Sequence, residues 1–266
     1  MGRGWADLDD RADPSLDRLI IRTLATVEGD EFPATDRLSI TLALAHFALW
    51  LLVIAALSGT TELLLWERLA VFVGAGLSMG QASNSNANEL IHHPGRWLRR
   101  AGRWVYISVL FGHHLSARTL VHHVHVGIRY DPSTTRHGES VYRFFARAWR
   151  GGFRDGLRAE NKRSALSRRP KWRHPYLDYI IGAGLVLMIA VLIGGSTGVL
   201  AAVGLSGLAQ TQLMLSDYVQ HYGLSRRIMA DGKPEPVRLR HSWNAPHHSD
   251  HHPNPARPFS GAATER

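Results

Sequence analysis

The sequence predicts an all-α integral membrane protein with about four transmembrane helices and a cytoplasmic, histidine-rich helical cap. Three observations predict it. Four apolar runs are each long enough, alone or with their flanks, to cross a bilayer. A large Lys/Arg excess sits between the second and third of them, and most of the sixteen histidines gather near the same ends of the runs.

Taken in order, residues 1–37 are polar and partly acidic, and Asp7-Leu-Asp-Asp10 is the opposite of a basic signal-peptide n-region. They are expected to form an N-terminal cytoplasmic segment, with a short interfacial helix over residues 19–27. Residues 38–58 contain no Asp, Glu, Lys or Arg and suit a first span. Gly59-Thr-Thr61 predicts a short turn. Residues 63–77 are apolar except for Glu67 and Arg68, and the run continues to about Ala82, which completes a helical hairpin. Residues 104–115 are apolar for only about a dozen positions, a length that suits an interfacial or re-entrant helix. Residues 176–193 predict a third span, Gly194-Gly195-Ser-Thr-Gly198 a break, and residues 199–215 a fourth span. The membrane domain is expected to cover residues 38–258, with a disordered Gly/Ala/Pro-rich tail over 259–266.

Charge orients these spans. Residues 94–175 carry eighteen Lys/Arg against four Asp/Glu, whereas the turns at Gly59 and Gly194 carry no Lys or Arg. By the positive-inside rule the long basic segment and both termini face the cytoplasm, in a multi-pass protein of a bacterial inner membrane. The net charge of +9 therefore reads as attraction to an anionic membrane surface. Nucleic-acid binding is not expected, because the arginines are spread along a membrane-proximal segment with no recognition motif. The absence of Cys excludes disulfides, thiolate zinc sites, Cys-held iron–sulfur clusters, a Cys nucleophile and a Cys-based electron carrier within this sequence.

The histidines form four clusters: His92-His93; His113-His114 with His122-His123-Val-His125; His221; and His241 followed by His247-His-Ser-Asp-His251-His252. Helical spacing puts residues i and i+4 on one face, which pairs Asn88 with His92, Arg118 with His122, and Asp217 with His221. Imidazole suits iron, copper, zinc and nickel. His92, His122, His123, His221, His248, His251 and His252 are the candidate metal ligands, with Glu89, Asp217 and Asp250 as the acids available to offset the metal's charge. His93, His113, His114, His125, His241 and His247 are neighbours of these. His46 reads as a packed helix histidine, and His137 and His174 as loop residues.

These residues resemble the membrane di-iron hydroxylases of the alkane 1-monooxygenase family. The matching text is Asn88-Glu-Leu-Ile-His92, Arg118-Thr-Leu-Val-His122-His123, His221-Tyr-Gly-Leu224 and His248-Ser-Asp-His251-His252-Pro-Asn-Pro255. Asp131-Pro-Ser-Thr-Thr-Arg136, Gly138-Glu-Ser140 with Tyr142-Arg-Phe144, and His241-Ser-Trp-Asn244 add to it. The resemblance spans roughly residues 83–258. It implies two iron ions held by histidines and hydroxylation of terminal C–H bonds of medium-chain alkanes or related hydrocarbons with O2. It also implies electrons from a rubredoxin or ferredoxin carrier and its reductase. The sequence departs from the family at Asn88 and Arg118, where His is expected, at Gln220, where an acid is expected, and in its four spans where the family has about six. The two missing imidazoles belong mostly to one metal, so one iron is expected to be weakly held or absent. Two alternatives stand beside this reading. One is another membrane hydroxylase or desaturase acting on an aryl-methyl or acyl-lipid substrate. The other is a degenerate metal-binding membrane protein without activity.

Overall fold

The computed structural model of the protein describes residues 33–59, 61–168, 170–230 and 234–235. The helix expected over residues 19–27, the last histidine box and the tail expected over 259–266 lie outside the described residues. Among the described residues the fold is helical, and its β pairing is a single bridge between Ile228 and Pro234.

Helix α1 (Pro33–Leu57) is apolar on every side, and Leu44 and Leu52 are 66% and 69% exposed. A helix of this kind has no polar face to offer water. Helix α2 (Leu65–Ser78) starts where the Leu64 N–H donates to Glu67 Oε2 at 2.8 Å. Arg68 Nε donates to the Leu63 carbonyl at 3.2 Å. The Glu67–Arg68 pair thus closes the turn between α1 and α2. After α2 the chain takes one wide π turn, Met79–Ser83, and continues as α3 (Asn84–His92).

Helix α4 (Arg96–Ser108) turns its arginines outward and buries Gly102, Val105, Tyr106 and Ile107. It packs closely on α3, because a Cβ at Gly102 would lie 2.9 Å from the Ala87 carbonyl oxygen. His93, just before it, contacts Asp36 on α1 at 3.1 Å. Its last residue, Ser108, contacts His46 Nε2 at 2.7 Å. His46 lies ten residues beyond Asp36, roughly 15 Å further along α1. The Ser108 hydroxyl donates to the Val105 carbonyl at 2.7 Å, so it accepts from His46, and His46 is the bonded helix histidine expected. The chain then reverses at Leu110 (φ 55°) and returns through α5 (His113–Ala117). A short dip beside α1 is the geometry behind the short apolar run at 104–115.

A second π turn, Arg118–His122, leads into α6 (His123–His125). This corrects the regular-helix spacing assumed for Arg118 and His122, because a π turn is wider than an α turn. A loop then leads to α7 (Val141–Leu166), capped where Ser140 Oγ accepts from the Arg143 N–H.

Helix α8 (Pro175–His221) begins at a helix-favouring proline, and His174 Nδ1 accepts the Tyr176 N–H at 3.3 Å. It is interrupted at Gly194 (φ −143°, ψ 20°) and Gly195 (φ 58°, ψ −140°). The halves fold toward each other. Tyr179 OH contacts Ser116 Oγ at 2.9 Å, and Gln210 Nε2 donates to the Val109 carbonyl at 2.9 Å. In a straight helix Tyr179 and Gln210 would be roughly 46 Å apart. The break is narrower than the Gly194-to-Gly198 interruption expected, and the second half runs on through Asp217 to His221.

Residues Asp36–Leu57 and Pro175–His221 are the two described helices long and apolar enough to cross a membrane. Only 28% and 22% of their most apolar windows are buried, so each carries a long apolar surface that the described residues leave uncovered.

Candidate metal centre

The C-terminal ends of α3 and α8 and the second π turn meet at one place, and each delivers histidine there. His92 is the last residue of α3, His122 and His123 straddle the π turn and α6, and His221 is the last residue of α8. The His92 and His123 ring centroids are 4.9 Å apart, His122 and His221 5.1 Å, and His122 and His123 5.9 Å. Two imidazoles on one metal at ~2.1 Å, set at right or tetrahedral angles, place their centroids roughly 4.5–5.5 Å apart. The first two pairs match that spacing. His122 and His221 are 2% and 1% exposed. The structure therefore brings together four of the seven candidate histidines. Among the described residues no group of three or more His, Asp or Glu is poised to hold a metal ion by itself. His248, His251 and His252, the densest part of the donor set, lie outside those residues.

The donor chemistry suits a metal. Burial, and then the neighbouring Arg118 charge, pushes His92 down to about 4 and His122 well below the usual imidazole range. Both are neutral at physiological pH, as ligation requires. His122 Nδ1 lies 2.9 Å from Asp131 Oδ2. Asp131 is 2% exposed and accepts from Thr134 Oγ1 at 2.6 Å and from the Ser133 N–H at 2.9 Å. The Nδ1–H tautomer of His122 completes that set and makes Nε2 the basic nitrogen.

The loop that carries Asp131 is clamped from two sides. Arg147 on α7 donates to the Pro132 and Thr134 carbonyls at 2.8 and 3.0 Å and pairs with Glu139 at 2.6 Å. From α8, Tyr218 OH donates to the Glu139 carbonyl at 2.8 Å, and the Tyr218 carbonyl accepts from Thr135 Oγ1 at 3.1 Å. Asp131 was not among the acids read as available to the metal. Its signal was the Asp-Pro-Ser-Thr-Thr text, which reads locally as a turn and gives no hint of the histidine it faces.

The other histidines are placed elsewhere. His93 Nε2 meets Asp36, and its Nδ1 accepts the Gly95 N–H at 2.9 Å. His113 packs against Trp149 and Phe153. His125 lies beside Tyr130, His137 beside Tyr222, and His174 caps α8. His114 stacks on Phe111 at 4.7 Å and borders a cavity of about 190 Å³ with Asn88, Arg118, Asp217 and Gln220. Within it Arg118 Nη1 donates to Asp217 Oδ1 at 3.4 Å, both side chains being nearly inaccessible to solvent. Asp217, one of the acids expected to offset metal charge, is thus engaged with an arginine. Asp250 lies outside the described residues. Glu89 is half-buried, and burial raises its carboxyl above the usual value.

Residues 65–263 match the family model described as Fatty acid desaturase. The chain is similar to alkane 1-monooxygenase 2 of Pseudomonas aeruginosa, 30% identical over 199 residues that cover 70% of this chain and 53% of that protein. It is similar to alkane 1-monooxygenase of Pseudomonas putida, 30% identical over 229 residues, 80% of this chain and 56% of that protein. Alkane 1-monooxygenase 1 of Alcanivorax borkumensis is 29% identical over 233 residues, with the same two coverages of 80% and 56%. The chain spans about half the length of the curated relatives it matches.

Proposed function

The chain belongs to the fatty acid desaturase family, and we propose that it is a membrane-bound, histidine-ligated iron monooxygenase acting on terminal C–H bonds of medium-chain alkanes or related hydrocarbons. The observation that carries this reading is the convergence of His92, His122, His123 and His221, with buried Asp131 behind His122. The names of the curated relatives support the substrate class. His248, His251 and His252 are the further candidate ligands, from which the remaining donors would come. Iron held there supplies the activation of O2 and the delivery of oxygen to an unactivated C–H bond.

The protein's own residues do the rest. Asp131 keeps the His122 proton on Nδ1. Val105, Tyr106, Val109 and Leu213 line an apolar wall between α4 and α8 that keeps water from the interior. The apolar outer faces of α1 and α8 let a hydrocarbon approach from the lipid. The topology proposed is four spans, formed by α1, by α2 with its π turn, and by the two halves of α8. The histidines and both ends of the sequence face the cytoplasm of a bacterial inner membrane. Electrons come from a rubredoxin or ferredoxin carrier and its reductase, as the resemblance to the alkane 1-monooxygenases implies. Exposed Arg143, Arg150, Arg154 and Arg158 share one face of α7 and offer an acidic carrier a docking stripe.

The test is iron content together with conversion of a medium-chain alkane by membranes supplied with a rubredoxin system. Primary alcohol is the expected product. Iron without alcohol, followed by turnover of an aryl-methyl or acyl-lipid substrate, would move the protein to another chemistry of the same family. The replacements at Asn88 and Arg118 favour a second reading, a degenerate protein without activity, which turnover of none of these substrates would establish.

A further inference from the structure

We propose that the buried Arg118–Asp217 ion pair takes the place of a second metal, so that this centre binds a single metal ion. The inference deepens the metal-centre reading above and rests on it. Two halves of the interior differ in what they can offer a cation. One half holds the ring pairs His92–His123 and His122–His221. The other is the cavity of about 190 Å³ bordered by Asn88, His114, Arg118, Asp217 and Gln220.

Arg118 and His122 are the two ends of one π turn, and both side chains are buried. The guanidinium therefore sits inside the same interior as the imidazoles. A guanidinium has five N–H donors, no lone pair for a metal, and a charge that no accessible pH removes. The nearest carboxylate on α8, Asp217, already accepts from it at 3.4 Å. A dication on this side would meet a fixed cation, would compete with it for one carboxylate, and among the described residues would find His114 as its imidazole. His114 lies against Phe111 and Tyr106. Asn88 and Gln220 add amide groups, which are weak ligands beside imidazole or carboxylate. The interior has balanced its charge with an arginine where a second metal would have needed more carboxylate.

The test uses the full chain, purified in detergent and loaded anaerobically with ferrous iron alone. After removal of loose metal, about one iron per chain is expected. Nitric oxide added to this protein should give the half-integer electron paramagnetic resonance signal of an isolated ferrous ion. The double variant Asn88→His, Arg118→His should retain about two irons and show a spin-coupled pair. Two irons per wild-type chain would overturn this inference and leave the metal-centre reading standing. No iron in the wild type would overturn both. A folded double variant that still holds one iron would show that the ion pair is not what excludes the second metal. Where the double variant does not fold, the wild-type stoichiometry and spectrum decide alone.

Discussion

Asp131 acts through one bond to His122, and that bond makes a specific claim at the scale of the residue. Asp131→Asn keeps the shape of the side chain and removes its charge, so Nδ1–H loses its strongest acceptor. Metal affinity is expected to fall about 10–100-fold, read by competition with a chelator. Unchanged affinity would mean that Asp131 merely fills the loop. Glu139 makes a second claim. Hydrogen bonds from Arg147 hold its carboxyl below the ordinary value of 4.5. The folded state thus prefers the carboxylate. Its contribution is complete above that ordinary value and is lost as pH falls through the lower folded value. Amide protection factors over residues 127–139, referred to the intrinsic rate at each pH, should fall on acidification through that window. Glu139→Gln should show low protection at neutral pH and little further change. High protection in that variant would place the clamp elsewhere.

Helix α8 shows what two glycines do at the scale of the element. A Cβ at Gly194 would lie 2.1 Å from Ser58, and Gly195 holds φ 58° with ψ −140°, which side-chain-bearing residues rarely adopt. Together they let the two halves of α8 meet residues 109–118 from both directions and bring His221 back to His122. Gly195→Val is expected to cost about 1–3 kcal/mol, seen as a lower melting temperature in detergent. A melting curve identical to that of the wild type would show that the break does not depend on glycine. The π turns act similarly. Each adds one residue to a turn, so a reading that assumes regular spacing places Arg118 and His122 one above the other. The wider turn lets one face Asp217 and the other Asp131.

At the scale of the whole molecule the apolar faces of α1 and α8 and the arginine stripe of α7 underlie the proposed orientation. A sequence without Cys permits a direct check, because any introduced thiol is unique. Exposed Glu62 and Ser196 lie in the two turns proposed to face away from the cytoplasm, and exposed Arg158 lies on α7. In intact cells stripped of their outer membrane, Glu62→Cys and Ser196→Cys should react with a membrane-impermeant thiol reagent. Arg158→Cys should react only after the membrane is opened. Labelling of all three from outside would refute the four-span arrangement.

Much of this molecule is local, and local features are legible in a sequence. The apolar run of α1, the glycine break in α8, the basic α7 and the four histidines that converge are each written in a few neighbouring residues, because bilayer thickness, helix period and imidazole chemistry act over that range. The dip of α4 beside His46 was legible only as a run too short to span, and the π turns were not legible at all. Which buried charges meet depends on residues far apart in the chain: Arg118 with Asp217, ninety-nine positions away, and His122 with His221. The sequence by itself determined a helical chain with membrane-length apolar runs and histidines at their ends. Only the tertiary structure decided that Asp131 serves a histidine while Asp217 serves an arginine. The physical reason is that a buried carboxylate must find a partner, and the folding of the helices decides which one is within reach.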